Sequence, residues 1–145
     1  MGSMEKIDSR DRKILSILTE DARSSLRNIS AQVKLSPSSV RNRIKRLEDI
    51  GVIERFTIDV DHRLLGLEIQ VVVLVTCKPG SSEELYDLLS GYQQVTQIYW
   101  TAGPANFILI VRVKDMIELS KLLTGEIEKL PGIERIETHF LMPRS

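Results

Sequence analysis

LSPSSVRNRIKRLEDIGVI, Leu35 to Ile53, contains the start, both faces and the end of a single helix. Ser36 is a capping residue, and Pro37 stands at the first helical position, where a missing N–H costs nothing. Val40, Ile44 and Leu47 recur at the i, i+4, i+7 spacing of one buried stripe, and Gly51 stops the helix near Ile50. Ser38, Asn42, Lys45 and Arg46 fall on the far side, with Ser39 and Arg41 flanking it. The stretch is therefore an amphipathic helix whose outward face is polar and basic.

Moving toward the N-terminus, Ile7-Asp8-Ser9 followed by Ile14, Leu15, Ile17 and Leu18 predicts a capped first helix. Arg23-Ser24-Ser25 interrupts it, and Ser25 caps a short second helix with Leu26, Ile29 and Val33 inward. Lys34-Leu35 forms the tight turn into the third helix. Two helices joined by a short turn, the second basic on its outward face, is the helix-turn-helix arrangement. Its second helix fits a DNA major groove, with N-terminal residues at base edges and later ones on phosphates. Ser36, Ser38, Ser39, Arg41 and Asn42 are the candidates at the leading end. Arg pairs with guanine edges, Asn with adenine edges and Ser with either, so Ser38, Ser39, Arg41 and Asn42 are the expected base readers. Arg43, Lys45 and Arg46 are expected on phosphates.

Charge supports this reading. The chain of 145 residues has net charge zero, but residues 1–60 hold twelve Lys/Arg against nine Asp/Glu, and residues 61–145 eight against eleven. From Arg23 to Arg46 there are seven basic residues and no acid, where a merely solvated face mixes signs. A plain three-helix bundle with a solvated basic face is the competing reading. Caps, turn and charge agree in favouring double-stranded DNA as partner.

Toward the C-terminus, Val52, Ile53, Phe56, Ile58 and Val60 give a strand or wing by their alternation, and Asp59 to Gly66 forms a hinge. From Glu68 the pattern changes to strands alternating with helices. The expected elements are a strand Ile69 to Cys77, a helix from Ser81-Ser82 to about Ser90, and strands Val95 to Thr101 and Asn106 to Val113. A helix from about Met116 to Leu130 and a strand Ile133 to Leu141 complete the set. The order β-α-β-β-α-β is that of the ferredoxin-like split βαβ, with helices on one face and the other face left to seek a partner. The fold class is α+β: a winged helix-turn-helix domain at 4–53, a hinge strand and linker at 54–66, and a ferredoxin-like domain at 67–142.

Hydrophobic residues at 42% and charged residues at 28% describe a globular chain. The longest apolar runs fall far short of the ~20 residues of a membrane helix, and no secretory leader is visible. Met1-Gly2-Ser3 before Met4 has the character of an expression scar. A single cysteine, Cys77, excludes an intramolecular disulfide. A cytoplasmic protein is expected. His62 and His139 lack a Cys or His partner at metal spacing, so no metal or cofactor is expected. Cys77 is expected in the core, and Tyr99 and Trp100 in sheet or interface packing.

With both halves in place, the chain resembles the Lrp/AsnC, or feast/famine, family. The carriers are IDSRDRKILSILTEDAR, ISAQVKLSPSSVRNRIKRLEDIGVIERF, PGIERIETHF and the hairpin TAGPANFILIV, together spanning Ile7 to Leu141. The resemblance implies a transcription regulator with a DNA-binding head and an effector-sensing domain. Such domains dimerise through their sheets, and the dimers assemble into tetramers or octamers on pseudo-palindromic DNA. It also implies a small effector, usually an amino acid, at the loop Ala102–Asn106. The matching effector residues are Thr101, Ala102, Gly103, Pro104, Ala105, Asn106, Ile136 and Thr138. Gly103 lets backbone approach a ligand, and adjacent amides there can accept a carboxylate.

Members of the family commonly carry Asp where this chain has Asn106, while Ala102 and Ile136 stand where some members are polar. A pocket without carboxylates disfavours a cationic side chain. Asn106 both donates and accepts, so a neutral amino acid such as glutamine or asparagine is the expected effector. Pro104 and Ala105 also depart from the usual loop residues. Two alternatives remain on this architecture. One is a sirohaem decarboxylase, for which His139 matches loosely and no second histidine lies near the loop. The other is an amino-acid sensor without DNA binding, in which an outward Arg41 and Asn42 would have no use.

Overall fold

Three cap residues set the N-terminal helices in the computed structural model, which describes residues 6–143. Met1 to Met4, including the expected start of the head domain at residue 4, lie outside the described residues. Helix α1 (Ser9–Glu20) begins with a reciprocal capping box. Asp8 Oδ1 accepts the Asp11 amide at 2.8 Å, and Asp11 Oδ2 accepts the Asp8 amide at 3.0 Å. Helix α2 (Leu26–Val33) starts at Ser25, whose hydroxyl accepts the Asn28 amide at 3.0 Å. It ends at Lys34, a non-glycine residue in the left-handed region (φ 56, ψ 47), which produces the sharp turn into the next helix. Helix α3 (Pro37–Asp49) is capped by Ser36 with Pro37 in its first turn.

These helices bury Ile14, Ile29, Val33 and Val40, with Ile17, Leu18, Leu26, Leu35 and Ile44 packed against them. The expected strand over Val52–Val60 does not form. The Ile53 amide instead donates back to Leu47 O at 3.0 Å, at the end of α3, and no ladder among the described residues includes this segment. Phe56 and Ile58 are exposed along it.

The chain divides into two compact units between Asp59 and Val60. In the second, a short 3-10 turn (His62–Leu65) precedes β1 (Ile69–Cys77), α4 (Ser82–Ser90), β2 (Val95–Trp100) and β3 (Phe107–Val113). Then come α5 (Met116–Leu123) and β4 (Ile133–Phe140). The sheet order is β2-β3-β1-β4 with every neighbour antiparallel, the ferredoxin-like arrangement. The helix expected from Met116 to Leu130 is shorter: it ends at Leu123, and a separate 3-10 turn covers Ile127–Lys129. The break falls at Thr124-Gly125, where glycine's backbone freedom weakens the helix.

Side chains alternate across the sheet. Val71, Val73, Val75, Phe107, Leu109 and Val111 point to the helices and pack with Leu85, Leu89, Leu119, Leu122 and Ile127. Val72, Leu74, Ile108 and Ile110 lie on the opposite, uncovered face and are half-buried. At the end of β4's entry turn, Gly132 (φ 89) would place a Cβ 2.5 Å from that of Ser81, so only glycine fits.

Candidate DNA interface and effector site

The leading end of α3 is a cluster of hydroxyls. Ser36 Oγ accepts the Ser39 amide at 3.1 Å and lies 3.1 Å from Ser38 Oγ and 3.0 Å from Ser39 Oγ. Ser38, Arg41, Asn42 and Lys45 are exposed. The side chains of Arg41, Asn42 and Lys45 make no hydrogen bond or ion pair among the described residues.

Arg43 and Arg46 differ from the expectation that placed them on phosphates. Arg43 Nη1 reaches Asp8 Oδ2 at 2.7 Å and Asp11 Oδ1 at 2.9 Å, and Arg46 Nη2 reaches Asp11 Oδ2 at 2.6 Å. Asp11 is fully buried, so its charge is tolerated only because both guanidiniums and the Asp8 amide satisfy it. The Asp11 amide, and after it Arg43, hold the Asp8 carboxyl down at about 2, and the two carboxylates raise the Arg43 guanidinium above its ordinary value. This pair of arginines orients α3 against α1. The sequence reading did not pair Asp8 and Asp11 with these arginines, since they lie 32 to 35 positions from their partners.

In the second unit, the turn 101–106 is fastened to β1 at Asn106 and at Pro104, whose carbonyl accepts the Thr76 hydroxyl at 3.4 Å. The Asn106 amide donates to Val75 O at 2.8 Å, and Asn106 Oδ1 accepts the Cys77 amide at 2.8 Å. The Thr101 amide donates to Asn106 O at 3.0 Å, and the Thr101 hydroxyl donates to Ala105 O. The acceptor that the sequence reading offered to a ligand through Asn106 is thus committed to the fold. Gly103 has no left-handed backbone, and a Cβ there would meet nothing within 4 Å. Backbone geometry does not require glycine at that position.

Beside the turn, on the uncovered sheet face, lies a depression of about 470 Å³. Thr101, Gly103, Pro104 and Ala105 line it from the turn, Leu74, Thr76 and Ile108 from the sheet, and Arg135 and Glu137 from β4. Four expected effector residues are not in its lining. Ala102 and Asn106 border the turn without facing it. Ile136 and Thr138 pair with Val75 and Val73 on the helix-covered face, while Arg135 and Glu137 pair with Thr76 and Leu74 on the open one. Strand parity accounts for the difference, because adjacent residues point to opposite faces. The depression also contains a carboxylate, contrary to expectation: Glu137 Oε1 lies 3.0 Å from His139 Nε2. Counting from the β1 partners would have found the charged pair.

Trp100 packs as expected, its ring 5.5 Å from that of Tyr86 and 4.6 Å from that of Phe107. Cys77 is buried, and burial pushes its thiol up.

A helix-turn-helix head whose third helix leaves Arg41, Asn42 and Lys45 exposed, followed by a ferredoxin-like sheet, is the architecture of a DNA-binding regulator with an attached ligand-binding domain. Comparison with known proteins agrees. A family described as winged helix-turn-helix DNA-binding matches residues 7–54, and the Lrp/AsnC ligand binding domain matches residues 70–144. The transcriptional regulator AzlB of Bacillus subtilis is 32% identical over 98% of this chain and 91% of its own length. The HTH-type transcriptional regulator FL11 of Pyrococcus horikoshii is 32% identical over 94% of this chain and 89% of its own. Among solved structures, B. subtilis LrpC superposes with a TM-score of 0.85 at 27% identity, covering 97% of both chains. The chain belongs to the Lrp/AsnC family of transcriptional regulators.

Proposed function

We propose that this regulator binds pseudo-palindromic DNA as an assembly of dimers, and that a neutral amino acid bound beside the turn 101–106 biases that assembly. The observation that carries the effector reading is the Arg135–Glu137 pair on one face of an otherwise apolar depression. An amino acid is a zwitterion, so its carboxylate suits the guanidinium and its ammonium the carboxylate. Leu74, Pro104, Ala105 and Ile108 then receive a side chain that carries no charge. Glutamine remains a candidate, since a terminal amide can reach the Thr76 and Thr101 hydroxyls at the rim. A lysine side chain would leave its second cation unpaired.

On DNA, Ser38, Ser39, Arg41 and Asn42 read bases and Lys45 meets phosphate, while in the free protein Arg43 and Arg46 hold the helix in place. Two copies carry their α3 helices about 34 Å apart, one helical turn of DNA. The uncovered sheet face, with Val72, Leu74, Ile108 and Ile110 exposed to no helix, is the surface on which a second copy docks. The depression lies on that same face, so effector and partner copy compete for or complete one surface. By linkage, a ligand that prefers one assembly shifts the population toward it. No helix among the described residues is long and apolar enough to cross a membrane, and action on the chromosome places the protein in the cytoplasm.

Calorimetry with the twenty amino acids, paired with sizing by light scattering, tests this reading. A neutral amino acid is expected to bind most tightly and to change the assembly size or its DNA affinity. Arg135→Gln is expected to weaken that binding about ten-fold or more, the loss of one charge-assisted hydrogen bond. Tightest binding by lysine or arginine would overturn it, as would an Arg135→Gln variant of unchanged affinity.

A further inference from the structure

Asp8 has two oxygens with two different tasks. Oδ1 caps α1 through the Asp11 amide, and Oδ2 takes one arm of Arg43. The second task is redundant for the fold, because Arg43 also reaches the fully buried Asp11, which holds Arg46 as well. Asp8 is the exposed member of the cluster, with 46% of its side chain accessible against none of Asp11's. It lies in a shallow open depression with Lys6, Asn42, Arg43 and Arg46. Asn42 is a candidate base reader, so this depression borders the surface that DNA would meet. A negative charge there sits among cations, where an approaching backbone would place a phosphate. The carboxyl stays ionised at any pH at which duplex DNA is stable, held near 2 by the Asp11 amide and Arg43.

We infer that Asp8 acts as an internal stand-in for a DNA phosphate: it holds Arg43 in the free protein and yields it to the backbone on docking. The exchange sets affinity below what the basic face could give, and it does so for every sequence alike, since a phosphate carries no base information. This inference rests on the reading of α3 as the DNA-binding helix. It adds a residue of α1 as a positioning residue that tunes binding without touching a base.

The test measures binding of the full chain to a mixed-sequence duplex by fluorescence anisotropy across a salt series. Asp8→Asn keeps an Oδ1 for the cap, asparagine being a good capping residue, and removes only the charge. It is expected to bind about three- to ten-fold more tightly at 50 mM salt, because no ion pair has to be broken, with a salt slope close to the parent's, since Arg43 meets one phosphate in both. Asp8→Ser, a second charge-free cap, is expected to behave alike. Arg43→Gln is expected to weaken the parent chain and make its salt slope shallower by about 0.9, and to abolish the gain in the Asp8→Asn background.

Unchanged or weaker binding by folded Asp8→Asn and Asp8→Ser overturns the inference. So does a gain that persists without Arg43, which would mean a diffuse field rather than an exchange. Failure of both variants to fold would also overturn it, since the charge would then be structural. A parent chain that binds no duplex at any salt refutes the DNA-binding reading itself. Parent binding without the Asp8 effect refutes only the exchange.

Discussion

The two units organise their working surfaces by opposite means. In the head, four clustered apolar residues, Ile14, Ile29, Val33 and Val40, are fully or almost fully buried, against fourteen in the sensor. Beside the apolar stripe Val40, Ile44 and Leu47, the Asp8–Asp11–Arg43–Arg46 cluster fixes the attitude of α3 by polar contacts. In the sensor, the sheet registers β4 against β1 and decides by parity which side chains face the depression. A charge network orients the first surface, and a hydrogen-bonded ladder orients the second. Damage to either should therefore be local in character as well as in place.

The largest effects should come from the two organising groups. Phe107→Ala removes a fully buried ring from the sensor and is expected to cost about 3–5 kcal/mol. Trp100, the chain's one tryptophan, reports that unit by fluorescence during urea unfolding. Asp11→Ala leaves two arginines without their buried carboxylate, and is expected to destabilise the head by about 3–5 kcal/mol. Helical circular dichroism should register that loss while the Trp100 transition holds. A Trp100 transition that moves with Asp11→Ala would break the comparison.

Smaller effects sharpen it. Arg41→Ala is expected to cost about 1–3 kcal/mol on a preferred DNA site and to relax base preference there. Lys45→Ala should weaken all sequences evenly, and equal losses on specific and random duplexes for Arg41→Ala would remove it from the base readers. Asn106→Ala strands the Cys77 amide and is expected to cost the sensor about 1 kcal/mol, whereas Asn106→Asp retains an acceptor and should cost less. The least effect is acid dependence in the head. The Asp8 carboxyl is lowered from 3.8 to about 2, so its contribution is complete above the ordinary value and is lost as pH falls through about 2. Urea midpoints of the head should drop over that window, and Asp8→Asn should flatten the drop.

What was legible in the sequence was local. Asp8, Ser25 and Ser36-Pro37 announced helix starts within three residues of the amides they cap, and the order of strands and helices gave the ferredoxin-like topology. The pairing of Arg43 and Arg46 with Asp8 and Asp11 was not legible, because charge on a helix face has no visible partner until α1 is folded against it. Ile136 and Thr138 came from the family resemblance, and only the pairing of β4 with Leu74 and Thr76 reveals that Arg135 and Glu137 are on the open face. The break in α5 at Thr124-Gly125 was hidden by leucines and isoleucines that continue the helical spacing beyond it.

Asn106 joins the turn to β1 by two bonds, one from its backbone and one to its side chain. The second makes the Cys77 amide proton a resident reporter. While the turn is seated, that proton is sheltered and exchanges slowly with solvent deuterium. A ligand that lifts or stiffens the turn would quicken or slow this one exchange before any change in assembly is visible, giving occupancy a clock that needs no label.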